Sequence, residues 1–90
     1  MPQRLIVGIG WYEKSQWPEY RRIMVDDVDE NHADWLRQAE ATERKLRKAG
    51  AEPVRVAIDL GDFELWCRTK GRACDASARA EYVAEKTRSL

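Results

Sequence analysis

Long apolar runs are missing from this 90-residue chain. Nothing in it approaches the roughly 20 apolar residues of a membrane-spanning helix. Leu5–Ile9 is too short for the apolar region of a secretory leader, and no cleavage pattern follows it. Cysteine is scarce as well: Cys67 and Cys74 are the two present, too few for the disulfide framework that staples small secreted folds. Their spacing is not that of a C-x-x-C redox or zinc motif, and His32 is the single histidine, so a four-ligand zinc site lacks its donors. Net charge is absent too, with 16 basic side chains against 16 acidic ones. This balance argues against a domain-wide basic footprint for nucleic acid without excluding a local one, and it gives no global pull towards anionic membranes. These absences lead to the expectation of a cytoplasmic domain without a membrane segment, cofactor or structural metal.

What is present suits one small globular domain over residues 1–90. Apolar residues make up 43%, enough for a core, and charged residues 36%, which calls for densely charged outer faces. Two segments read as strands. Leu5, Val7, Ile9 and Trp11 alternate with Ile6, Gly8, Gly10 and Tyr12, giving one filled face and one nearly bare face. In the second, Val54–Ile58, the apolar row is Val54, Val56 and Ile58. Both aliphatic rows are expected side by side against helices, and this parity favours antiparallel pairing.

Four helices are expected around the strands. Ser15 is placed as cap of the first, with Pro18 in its first turn and Trp17, Tyr20, Met24 and Val28 as the inward stripe. The second is expected from Asn31, with Asp34 near its positive end, to Gly50 just before Pro53. Trp35, Leu36, Ala39, Thr42, Leu46 and Ala49 form its stripe, while Glu40 with Arg44 and Glu43 with Arg47 make i,i+4 pairs on its outer face. The third has Asp59 as cap, Asp62 at the third position, Ile58 and Phe63 at staple spacing, and Gly71 as its stop. Its stripe is Leu60, Phe63, Trp66 and Cys67. Asp75 caps the fourth, in which Ala76, Ala80 and Val83 share a face beside Tyr82. The order β-α-α-β-α-α defines an α+β, or small α/β, domain with a two-stranded sheet packed on helices. So small a sheet invites pairing with a second copy.

The segment Trp66-Cys67-x3-Gly71-x3-Asp75-x2-Ala78-Arg79-Ala80-x-Tyr82 resembles a signature of short uncharacterised bacterial proteins. Trp11-Tyr12, Asp34-Trp35-Leu36 and Val54-x-Val56-x-Ile58-Asp59 add to the resemblance, which covers nearly the whole chain. It implies one complete domain and no particular activity.

Each motif that suggests chemistry meets a structural explanation. Gly8-x-Gly10 lacks the third glycine of a dinucleotide fingerprint, since Glu13 stands there, and close backbone approach explains the pair. Asp27-x-Asp29-x-Asn31 opens like a calcium loop, but His32 and Gln38 occupy the positions that need glycine and glutamate. Asp26, Asp27, Asp29, Glu30 and Asp34 then read as a solvated acidic loop or a partner-binding patch. Cys74 before a helix start, with Arg72 nearby, is a candidate reactive thiol opposed by Asp75. No coherent catalytic set emerges, and none is assigned.

The leading expectation is a protein-interaction domain, homodimeric and without catalysis, whose partner contacts involve Gly8, Gly10 and Trp11. The alternative is a nucleic-acid-binding accessory whose phosphate contacts are Arg44, Lys45, Arg47, Lys48 and Arg55.

Overall fold

A computed structural model describes residues 4–89. Strand β1 (Ile6–Trp11) is followed by a short 3-10 turn (Lys14–Gln16), helix α1 (Trp17–Ile23) and helix α2 (His32–Lys48). Strand β2 (Glu52–Ala57) and helices α3 (Leu60–Thr69) and α4 (Ala76–Arg88) complete the order β-α-α-β-α-α. The sheet has two strands, and they are parallel, with Gly8 opposite Val54 and Gly10 opposite Val56. The antiparallel expectation is therefore corrected. Helix α2 carries the chain back along the sheet, so β2 starts at the same end as β1.

This register also separates the two aliphatic rows. Residues paired across a sheet point to the same side, so Val54, Val56 and Ile58 share a face with the bare Gly8 and Gly10. Val7, Ile9 and Trp11 share the other face with Pro53, Arg55 and Ala57. The two strands thus offer aliphatic rows to opposite sides, as suits a parallel sheet covered on both faces. The glycine side holds the main core: Tyr12, Trp17, Tyr20, Val56, Ile58, Phe63, Cys67, Tyr82 and Val83 are all buried there with Ala78.

Three of the helix starts read from the sequence are present as hydrogen bonds. Asn31 accepts from the Asp34 amide at 2.9 Å, Asp59 from the Asp62 amide at 3.0 Å and Asp75 from the Ala78 amide at 2.9 Å. Gly50 and Gly71 follow α2 and α3 at φ 87° and 65°, the left-handed conformation that a β-carbon disfavours.

The first helix differs from expectation. Ser15 lies inside the 3-10 turn, and Gln16 precedes α1 instead. The Gln16 side chain accepts from the Glu13 amide at 2.7 Å and donates to the Ile58 carbonyl at 2.8 Å, tying the turn to the end of β2. Helix α1 stops at Ile23, so Met24 and Val28 reach the core from the following loop. On α2 the stripe is rotated: Thr42 and Ala49 are exposed, while Ala39 and Glu43 are buried. On α4 the buried residues are Ala78, Tyr82 and Val83, and Ala76 and Ala80 are exposed.

Candidate functional site

Helix α4 explains the bare face of β1. A β-carbon built on Gly8 would lie 1.8 Å from Thr87 Oγ1, and one on Gly10 would lie 3.0 Å from Val83 Cγ2 and 3.2 Å from the Tyr12 hydroxyl. The two glycines let α4 rest on the strand, so their face is occupied within the chain. Trp11 is half-buried on the other side, 5.1 Å from Trp35 in an edge-to-face pair and 3.9 Å from the Arg55 guanidinium. Of the residues expected to touch a partner, both glycines and Trp11 therefore have intrachain contacts.

The outer edge of β1 is a different matter. The Leu5 and Trp11 carbonyls accept from Glu52 and Ile58 on the β2 side. By strand alternation, the backbone groups of Ile6, Gly8 and Gly10 point away from β2. The next residue of that parity, Tyr12, has its carbonyl accepting from His32 Nε2 at 2.7 Å, which terminates the edge. Along this edge runs a groove of about 1260 Å³. Its floor takes Leu5, Ile6, Val7 and Gly8 together with Val54 of β2, so it reaches from the strand edge onto the glycine face of the sheet. Trp35 and Gln38 of α2 form one wall, and Ala80 and Ala84 of α4 the other. Leu5 and Ile6 are 71% and 54% exposed, uncommon values for large apolar side chains lying side by side at one end of a groove.

Residues 24–31 close the other end. The Val25 amide donates to the Cys74 carbonyl, and Asp26 takes a bidentate contact from Arg79 of α4 at 2.8 and 2.9 Å. Farther along, the Asp29 carbonyl accepts from the Trp17 indole at 3.1 Å, and its carboxylate accepts from Gln38 of α2 at 3.0 Å. The loop therefore spans from α4 to α2 at the Tyr12 end of β1. Arg79 holds the Asp26 carboxyl below its ordinary value, chiefly through their hydrogen bonds. Asp27 and Asp29 line the closed end of the groove, and Arg88 lines the open end. Burial raises the Tyr12 and Tyr20 phenols above the ordinary tyrosine value, so both are neutral across the physiological range.

The other candidates fall outside this groove. Arg44, Lys45, Arg47 and Lys48 surround a shallow depression beside Ala41 near the end of α2. Arg55 does not join them, because its guanidinium bonds Glu43 at 2.8 and 2.9 Å and lies over Trp11. Glu43 is thus buried against β2, not paired with Arg47 on an outer surface. Cys67 is buried and Cys74 half-buried. Burial, with Cys74 alongside, pushes the Cys67 thiol up to about 12, which makes it a poor nucleophile. Neither Cys74 nor Asp62 lines the groove. Among the described residues, no helix is long and apolar enough to cross a membrane.

No family model matches the chain, and no curated protein or solved structure matches it either.

The sequence pointed to Gly8, Gly10 and Trp11 but not to the groove wall. Arg79 and Asp26 lie 53 residues apart, and no periodicity connects them.

Proposed function

We propose that this chain is a protein-interaction domain without catalysis of its own, which takes up an extended segment of a partner protein along β1. The observation that carries this reading is the outer edge of β1, with Ile6, Gly8 and Gly10 directed into an open groove between α2 and α4. An added strand would satisfy those backbone groups, and its side chains would alternate between the two walls. Leu5, Ile6 and Val7 supply apolar contact at the open end, so the segment is apolar and β-branched in its middle.

Self-association through β1 uses the same edge. A second copy docked this way would bring its own α4 beside the first, because α4 rests directly on β1 in each chain. A single strand needs no such room and is the occupant that this groove favours.

The test is a titration of the isotope-labelled chain with an alternating valine–threonine peptide, read by NMR and amide exchange. The Ile6, Gly8 and Gly10 amides are expected to shift and to become protected. Unchanged amides at saturating peptide would overturn the reading. So would sedimentation of the chain alone as a species of twice its 10.5 kDa mass that loses β1 protection on dilution, since a second copy would then own the edge.

A further inference from the structure

The closed end of the groove contains more polar chemistry than strand addition requires. Tyr12 and Tyr20 are each 4% exposed, line the groove and have ring centroids 4.6 Å apart. Among the described residues neither hydroxyl has a hydrogen-bond partner, although other buried polar side chains around them do: Trp17 bonds the Asp29 carbonyl, and Arg79 bonds Asp26. Neither hydroxyl is fully buried, because among the described residues no fully buried side-chain nitrogen or oxygen lacks a partner. Two adjacent phenols, each more than nine-tenths buried, thus line the groove with unused lone pairs.

Around them the carboxylates of Asp26, Asp27 and Asp29 outnumber the one guanidinium, Arg79, which lies 5.6 Å from the centre of the Tyr20 ring. Arg79 is matched by Asp26 through two hydrogen bonds, so their charges offset each other. Asp27 and Asp29 remain, and neither takes part in an ion pair among the described residues; Asp29 accepts from the neutral Gln38 amide. Val28 and the Trp35 ring complete the lining with apolar surface. An anion would face two carboxylates here with its one nearby guanidinium already engaged. A cation would meet two carboxylates, two phenol oxygens and the Trp35 ring, each of which favours positive charge, while Arg79 already lies over Tyr20.

We infer that the closed end of the groove is a pocket for a lysine side chain carried by the extended segment on β1. The aliphatic stem lies along Val28 and Trp35, and the ammonium donates to Asp27, Asp29 and the phenol oxygens of Tyr12 and Tyr20. The inference rests on the edge-pairing reading and adds the residue that fixes the segment's register, since the pocket lies just past Gly10. At the opposite end, Arg88 gives the groove a positive charge, so a second lysine there gains nothing.

The experiment uses two peptides, each acetylated and amidated. One is Lys-Val-Thr-Val-Thr-Val-Lys, which offers a lysine to the pocket in either strand direction. The other replaces both lysines with norleucine, keeping most of the stem and removing the charge. The lysine peptide is expected to bind about tenfold more tightly at low salt and to lose that advantage as salt rises. Asp27→Asn, a change at an exposed position, should remove most of the preference for the lysine peptide over the norleucine peptide. Tyr20→Phe should reduce the preference as well. Equal binding of both peptides by the unaltered chain would overturn the lysine pocket and leave edge pairing standing. A preference that survives in the Asp27→Asn, Asp29→Asn double variant would overturn it too. Binding of neither peptide would instead sink the edge-pairing reading beneath it.

Discussion

Replacing Glu43 by glutamine tests the contact that fixes α2 on the sheet. The Glu43 carboxylate is 4% exposed and takes two hydrogen bonds from Arg55, at 2.8 and 2.9 Å. The Arg55 side chain is itself 52% exposed, so water can reclaim it when the carboxylate is lost. That places the cost below the roughly 3–5 kcal/mol of breaking a wholly buried pair. Hydrogen bonds to charged groups contribute about 1.5–3 kcal/mol, and allowing for this solvation the expected loss is about 1–2 kcal/mol. In a domain of this size each kcal/mol lowers Tm by about 4–8 °C. Urea unfolding followed by tryptophan fluorescence measures it, with Trp11 and Trp35 beside the pair as reporters. The pH dependence has a definite sign. Hydrogen bonding to Arg55 holds the folded Glu43 carboxyl below its ordinary 4.5, so the stabilisation is present above that value and is lost as pH falls through the lower folded pKa. The difference in stability between the unaltered chain and Glu43→Gln should therefore shrink on acidification below pH 4.5. Glu40→Gln, on the same helix but without an ion pair among the described residues, should stay within about 0.5 kcal/mol. Equal urea midpoints for Glu43→Gln and the unaltered chain would refute the reasoning.

Other outcomes follow from individual contacts. Asp59→Ala should cost about 0.5–2 kcal/mol in urea unfolding through loss of the α3 cap. Asp62→Ala should cost less, about 0.3–1 kcal/mol, because its contribution is a dipole interaction. Gly8→Val should destabilise the fold by about 1–3 kcal/mol through collision with Thr87, and Thr87→Ala should restore part of that loss in the double variant. A stability as high as that of the unaltered chain would show that α4 is not seated on Gly8. Iodoacetamide at pH 8 should label Cys74 in the folded chain and Cys67 only after urea unfolding, as peptide mapping would reveal; equal rates in the folded state would contradict the burial of Cys67.

The parts of the fold legible in the sequence were those written in neighbouring residues. The caps at Asn31, Asp59 and Asp75 each act on an amide three residues on, so a short window contains both partners. The stops at Gly50 and Gly71 are equally local. Strand direction was not local. Alternation shows which residues share a side of one strand, but not which side of its neighbour that row joins. Here the filled row of β1 and the filled row of β2 lie on opposite faces, and no pattern within either strand encodes that choice. Glu43 illustrates the same limit on α2. Its spacing to Arg47 offers an i,i+4 pair worth a few tenths of a kcal/mol, yet Arg55 across the sheet provides two hydrogen bonds from one guanidinium. The longer-range partner prevails because it is planar and bidentate and stacks on Trp11.

The acidic loop carries this argument to the candidate site. In sequence, Asp26, Asp27 and Asp29 belong to one run of like charge, and a solvated acidic loop accounts for them together. In three dimensions they divide. Asp26 is drawn to Arg79 on α4, Asp29 is held by Gln38 on α2, and Asp27 is left exposed at the closed end between them. The same contacts stretch the loop across the end of β1 and turn an open strand edge into a groove with one closed end. A neutral loop of equal length could close the groove sterically. It could not give that end a charge opposite to the end beside Arg88, and that asymmetry is what would let a bound segment be held in one register.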